Sequence, residues 1–180
     1  PYDEPEVIAG QGTCGLEIAV QAAETGVSAA DVLVNCGGGG LSSGVALALA
    51  AHAPGLRVRP VEPEGFDDVT RSLADGEIRS NAAPSGSLCD AILTAQPGEI
   101  TFPILQAHCG PGIVITEEEA LRAMALAFLR LKIVLEPGGA ASLAAALFHG
   151  DQIEGHAVIA IATGGNVVPA LFPKVLTRYA

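Results

Sequence analysis

Val32-Leu33-Val34-Asn35-Cys36-Gly37-Gly38-Gly39-Gly40-Leu41 joins an apolar, strand-like run to four consecutive glycines, and an alanine-rich stretch from Ser43 to Ala53 that reads as a helix follows. Four glycines remove every Cβ from the turn, so the backbone can take φ > 0 and press close to a ligand. Successive N–H groups in such a turn can converge on one concavity, and the helix that follows adds the positive end of its dipole. The pattern is a phosphate cradle. No Lys-Ser/Thr pair follows the glycines, so a triphosphate with magnesium is not the expected guest. A flexible glycine linker is the bland alternative, and the strand before and helix after argue against it.

Outward from this turn, strands and helices alternate. Val7-Ile8-Ala9 reads as a short strand, and Cys14 to Thr25 as a helix closed by Gly26. Asp31 to Asn35 is the strand before the glycines, Leu56 to Val61 a third strand, and Phe66 to Ala74 a shorter helix. Turn residues dominate from Gly76 to Ser87, and Glu99 to His108 adds a helix. Gly112 to Ile115 is a strand, and Thr116-Glu117-Glu118-Glu119 fits a capping box that opens a helix to about Lys132. Pro137-Gly138 breaks the chain before a helix to Phe148, and His156 to Ala162 is an almost purely apolar strand. Such alternation with apolar strands predicts an α/β fold with a doubly wound parallel sheet. Residues 1–180 hold no internal repeat and no linker long enough to divide them, so one domain is expected.

Composition agrees. A chain of 180 residues is long enough to bury about 70% of its unfolded surface. Hydrophobic residues make up 49% of it, yet no apolar run approaches the ~18 residues of a membrane span. The net charge of −11, with nine Lys plus Arg, argues against nucleic acid as a partner. Cys14, Cys36, Cys89 and Cys109 lack metal-site spacing and read as reduced thiols. His52, His108, His149 and His156 read as surface or helix-terminal residues. A soluble protein of the cytoplasm is the expectation.

In doubly wound sheets ligands sit beyond the carboxyl ends of the strands. Two glycine-bearing segments fall there: the tetraglycine turn, and Thr163-Gly164-Gly165-Asn166 after the last strand. A phosphate at the first and a hydrogen-bonding heterocycle at the second describe one elongated cofactor. With these segments in view, the chain resembles the fold-type II pyridoxal-phosphate enzymes, specifically the threonine/serine dehydratase and serine racemase group. Ile8-Ala9-Gly10-Gln11-Gly12-Thr13 resembles that group's Ala-Gly-Gln-Gly-Thr segment, and Gly37, Gly38, Gly39, Gly40 and Leu41 its phosphate loop. Leu135-Glu136-Pro137-Gly138-Gly139-Ala140 is similar to its Glu-Pro element beside the cofactor ring, and Thr163-Gly164-Gly165-Asn166 to its Ser-Gly-Gly-Asn. The four motifs occur in the family's order.

The resemblance implies the large-domain portion of a tryptophan-synthase-β-like architecture. It also implies a pyridoxal 5'-phosphate-dependent dehydratase that turns L-threonine, L-serine or a related β-hydroxy amino acid into a 2-oxo acid and ammonia. A serine or aspartate racemase is the nearest alternative, and a non-catalytic phosphate-ligand-binding domain another. Thr163 would meet the pyridine nitrogen with a neutral hydroxyl, which does not force protonation and leaves the cofactor a weaker electron sink, suited to elimination. A helix N-cap is the competing role for Thr163, and a solvated acid before a turn that for Glu136. A small amino-acid substrate and a homodimer are implied as partners. The group's racemase-like branch implies a cation site from Glu62, the carbonyl of Phe66 and Asp68, an oxygen set suited to Mg²⁺ or Ca²⁺. Alternatively Asp67 and Asp68 simply favour a helix N-terminus.

Gly10-Gln11-Gly12-Thr13-Cys14-Gly15 also spells GxGxxG, with Asp31 roughly 20 residues on as in dinucleotide folds. Asp31 precedes the next strand, however, whereas a ribose-binding acid ends it, and the tetraglycine turn explains an anion site better. The family holds its cofactor through a lysine Schiff base. Lys132 and Lys174 are the only lysines, and neither stands in the family's lysine context. The expectation is therefore a C-terminal half, without catalytic residues of its own, whose N-terminal half carries that lysine and the asparagine loop that grips the substrate carboxylate.

Overall fold

The computed structural model describes residues 2–179; Pro1 and Ala180, the ends of the expected domain, lie outside them. The chain runs through α1 (Pro5–Glu24), β1 (Ala30–Asn35), α2 (Gly40–His52), β2 (Leu56–Pro63), α3 (Asp68–Asp75) and α4 (Thr101–His108). It continues through β3 (Ile113–Ile115), α5 (Glu117–Leu126), α6 (Ala141–Phe148), β4 (Val158–Ile161) and α7 (Phe172–Tyr179). All four strands are parallel, in the order β3-β2-β1-β4. The strand that precedes the glycines is thus central, paired on both sides and buried along its whole length.

Alternation along β1 builds the two layers. Val32 and Val34 join Val45, Ala46 and Leu49 of α2, with Ala22 of α1 behind them. Leu33 faces the other way, into a cluster with Ala123 and Met124 of α5 and Ala141, Ala144 and Ala145 of α6. Helices therefore cover both faces, which is the doubly wound arrangement. At the amino ends of the strands, Asp31 is buried between Arg59 (3.0 Å) and Arg57 (2.8 Å), so this acid closes the sheet far from its ligand end.

Val7-Ile8-Ala9 is not a strand: it lies in α1, which begins at Pro5. A three-residue apolar run carries no period of its own. The decisive signals are proline in the first helical turn and burial at Ile8, Gly15 and Ala22, seven residues apart. The GxGxxG run consequently sits inside a helix, and Gly12 and Gly15 serve packing. A Cβ on Gly15 would lie 2.8 Å from the Val45 carbonyl oxygen, and one on Gly12 3.3 Å from that of Gly44. α2 meets α1 on one side and the sheet on the other, which is why it carries so few polar side chains.

The capping box at Thr116 is present, with both reciprocal bonds to Glu119. α5 then widens into a π-helical turn over Ala127–Leu131, and Lys132 ends it at φ 62°, its ammonium donating to the Leu129 carbonyl. The helix at Phe66 starts two residues later than its apolar pattern suggests, because Gly65 (φ 81°) and the Phe66 N–H to Pro63 carbonyl bond form a turn there. β4 is shorter than its apolar run and is an edge strand, with Val158 41% exposed. All four cysteines are free thiols, and His52, His108 and His149 stand at helix ends. Among the described residues no helix is long and apolar enough to cross a membrane.

Two predictions follow from this packing. A methyl group on Gly44 would collide with the Ile8 carbonyl and lie 2.6 Å from the Gly12 nitrogen, whereas one on Gly10 meets nothing within 4 Å. Gly44→Ala should lower stability by about 1–3 kcal/mol, and Gly10→Ala should raise it by about 0.5–1 kcal/mol; equal shifts in urea midpoint would refute this helix contact. Burial pushes the Glu119 carboxyl up, but the Thr116 N–H and His149 outweigh it and hold the group below its ordinary range. A depressed carboxyl contributes stability that is complete above the unfolded carboxylate range and is lost as pH falls through the folded value. Glu119→Gln should flatten that acid limb of the stability–pH curve, and an unchanged slope would show that the bonds contribute nothing.

Candidate functional site

Beyond Asn35 the chain leaves the sheet through Gly37–Gly40 and enters α2 with Gly39 in the N-cap position at φ 94°. No side chain caps this helix, and its first ladder bond runs from the Ser43 N–H to the Gly39 carbonyl, 2.8 Å. The N–H groups of Gly40, Leu41 and Ser42 thus have no partner within the helix. The Gly38 carbonyl is held from behind by the Thr101 hydroxyl, 2.7 Å, and the Gly98 N–H, 3.3 Å. A Cβ on Gly38 would overlap the Tyr2 ring, and one on Gly39 would lie 2.8 Å from the Leu105 side chain. Ser42 adds a buried hydroxyl oxygen with no hydrogen-bond partner.

Facing this turn, Leu135–Ala140 and Thr163–Gly164 lock together. The Glu136 N–H donates to the Gly164 carbonyl at 3.0 Å, and the Thr163 N–H to the Gly139 carbonyl at 3.3 Å. Gly139 is required by contact, since a Cβ there would lie 2.9 Å from the Gly164 nitrogen, while one on Gly164 would displace the Glu136 carboxylate. Between these walls stands Asn35, whose amide reaches Gly139, Ile161, Ser142 and Thr163. The result is a cleft of about 420 Å³. Gly37, Gly38, Gly39, Gly40, Leu41, Glu136 and Thr163, from three separate stretches of sequence, all line it.

Tyr2, Asn35, Ser42 and Thr94 line the same cleft and were not singled out from the sequence. Asn35 had a visible signal, a polar residue ending an apolar strand at the ligand end of the sheet. Ser42 had its place directly after Leu41, whereas Tyr2 and Thr94 had no signal, since only folding brings them there. Burial pushes the Cys36 thiol well up, with Glu62 adding to it, and burial, then Asp3 and Asp68, raise the Tyr2 phenol. Both groups stay protonated and neutral at neutral pH. Thr163 caps no helix, since α7 begins only at Phe172. Lys132 and Lys174 lie outside the cleft lining.

Glu62, Phe66 and Asp68 sit apart from this cleft. Glu62, fully buried at the end of β2, accepts from the Val69 N–H (2.9 Å), the Thr70 N–H (2.7 Å) and the Thr70 hydroxyl (2.6 Å). It is therefore Glu62, from another element, that satisfies the start of α3, and not Asp67, whose side chain makes no cap bond. Asp68 Oδ1 accepts from the Asn81 amide at 2.6 Å, while its Oδ2 is buried without a partner. Burial pushes the Glu62 carboxyl up to about 8 and that of Asp68 to about 6. No cluster of three or more His, Cys, Asp or Glu side chains suited to a metal occurs among the described residues.

A glycine-lined turn with free helix N–H groups, opposite a hydroxyl-bearing strand end, invites comparison with known proteins. The family model described as "Pyridoxal-phosphate dependent enzyme" matches residues 1–164. The chain belongs to this family. A serine racemase of Dictyostelium discoideum is 38% identical over 180 residues, spanning 98% of this chain and 54% of that protein. A catabolic L-threonine dehydratase of Escherichia coli is 36% identical over 93% of this chain and 50% of its own length. A T.th. threonine deaminase crystal structure superposes with a TM-score of 0.87 at 44% identity, covering 92% of this chain and 56% of that one. The fold is thus the fold-type II arrangement expected from the motifs, and the chain spans about half the length of the curated relatives it matches.

Proposed function

We propose that this chain holds pyridoxal 5'-phosphate within a longer enzyme that converts L-threonine, L-serine or a related β-hydroxy amino acid to a 2-oxo acid and ammonia. One observation carries the reading: an uncapped helix N-terminus and the Thr163 hydroxyl stand on facing walls of one cleft, with Glu136 beside them. The donors suit the cofactor. The turn at Gly37–Gly40 has no space for side chains, its amides and the dipole of α2 favour a phosphate dianion, and Ser42 offers a buried hydroxyl. Thr163 would hold the ring nitrogen through its hydroxyl, and Glu136 would stand beside the ring. Bound there, pyridoxal phosphate supplies the electron sink that α-proton removal and departure of the β-hydroxyl require.

The rest of the longer protein supplies the lysine that holds the cofactor and the loop that grips the substrate carboxylate. It also covers the apolar side chains left open beside β4, among them Val158, Val168 (63% exposed) and Val134. Relatives called serine racemases match this chain as well as the dehydratases do, so racemisation of serine or aspartate is the second reading. We also propose a homodimer, as the family implies, and a cytoplasmic setting, which four free thiols suit.

The deciding experiment is borohydride reduction with pyridoxal phosphate followed by intact mass, alongside assays for 2-oxo acid and for D-serine. A protein of the relatives' full length should carry one adduct and release 2-oxo acid from L-threonine or L-serine. D-Serine without 2-oxo acid would move the assignment to the racemase, and an absent adduct with no turnover would leave a phosphate-ligand-binding domain.

A cation at Glu62, the Phe66 carbonyl and Asp68 is a separate part of the proposal, supported by the unpartnered Asp68 Oδ2. Mg²⁺ or Ca²⁺ at 100 times its dissociation constant should stabilise the protein by about 2.7 kcal/mol. Asp68→Asn should abolish that gain in a thermal melt, and a wild-type melt indifferent to both ions would eliminate the site.

A further inference from the structure

We propose that Asn35 is a positioning residue: its amide sets the direction of the Thr163 O–H and thereby keeps the ring nitrogen of the bound cofactor unprotonated. This rests on the reading that Thr163 faces that nitrogen. Strand alternation puts Asn35 on the same face as Leu33, against α6, where it is 4% exposed.

The orientation of the amide is fixed by its neighbours. Oδ1 accepts from the Ser142 N–H at 2.5 Å, and Nδ2 donates to the carbonyls of Gly139 (3.0 Å) and Ile161 (3.1 Å). Flipped, the group would aim an oxygen at two carbonyls and an NH₂ at an N–H, so only one orientation is consistent. The third neighbour of Nδ2 is Thr163 Oγ1, at 3.0 Å. Toward an NH₂ group a hydroxyl oxygen can only accept. The two carbonyls do not monopolise the amide protons, because Gly139 also receives the Thr163 N–H (3.3 Å) and Ile161 the Ser142 hydroxyl (2.5 Å).

With its oxygen facing a donor, Thr163 must direct its single proton elsewhere, and the side of the residue that remains open is the cleft. An unprotonated pyridine nitrogen accepts that proton. A protonated one would require Thr163 to accept twice and would strand the hydroxyl proton against the ring. Asn35 therefore acts through Thr163, two hydrogen bonds from the cofactor, to favour one protonation state over the other.

The test is ¹⁵N NMR of the full-length holoprotein reconstituted with pyridoxal phosphate labelled at the ring nitrogen. The wild type should give the resonance of an unprotonated nitrogen, and Thr163→Ser should keep it. Asn35→Leu should move it toward the protonated value and weaken cofactor binding by about two- to tenfold, the worth of one neutral hydrogen bond. A folded Asn35→Leu protein with the wild-type resonance overturns the proposal, provided Thr163→Ala shifts it. No shift in Thr163→Ala overturns the ring-nitrogen reading itself, and a protonated wild type overturns the role of Asn35. Should Asn35→Leu fail to fold, since it orphans the Ser142 N–H, neutron diffraction of the wild-type holoprotein decides. A Thr163 deuteron on the cofactor side supports the inference, and one directed at Asn35 refutes it.

Discussion

Where β1 ends, the chain must pass from a strand buried on both faces to a helix buried almost as deeply, with no room for a side chain between them. At Gly38 the space belongs to the Tyr2 ring, at Gly39 to Leu105 and Thr101, and at Gly40 to the Tyr2 backbone. Gly39 must in addition hold φ at 94°, a region L-residues avoid. The consequence is chemical as well as steric. A turn stripped of side chains exposes amides at its surface, and a helix that starts without a cap leaves its first N–H groups and its dipole for whatever enters. The same four residues meet the packing demands and leave the free amides that an anion would need.

The other wall depends on the same strand. Two-residue alternation sends Val34 into the α1–α2 layer and Asn35 into the α6 layer, so one strand end serves both sides of the cleft. Asn35 ties β1 to Gly139, Ile161 and Ser142, while Gly37, two residues on, already belongs to the cradle. Spacing between the anion end and the hydroxyl end is thereby set within a single rigid element. Such short covalent separation is how a cleft is held to the tolerance that ligand positioning demands.

Much of this was legible in the sequence because glycines and polar residues punctuate it. The alternation of elements, the Thr116 capping box and the three segments that meet in the cleft were all marked by residues whose local chemistry has few other uses. Val7-Ile8-Ala9 misled because a short apolar run does not declare its period, and the helix it belongs to is decided by burial against α2. Glu62 was read as a cation ligand and not as the group that satisfies α3, because its partners Val69 and Thr70 are brought to it by the β2–α3 turn. Asn35 stood in plain view, yet its bonds span more than 100 residues of sequence, to Gly139, Ser142 and Thr163.

The two ends of the cleft differ in electrostatic character, and that difference follows from where each is built. The cradle lies at a helix N-terminus, whose partial positive charge is fixed by the backbone and independent of pH. Thr163 answers to an amide, and neighbouring Cys36 and Tyr2 are kept neutral by burial, which would also disfavour a charged ligand group there. Glu136, against Gly164, is the acid in the cleft lining and would pull the other way. The Asn35–Thr163 hydrogen bond is at contact distance and set by a buried amide, whereas the Glu136 charge shares the open cleft with solvent, so screening acts on the second and not on the first. The orientation of Asn35, and with it the group that Thr163 faces, is thus fixed by the backbone of Gly139, Ile161 and Ser142 and by no ionisable group.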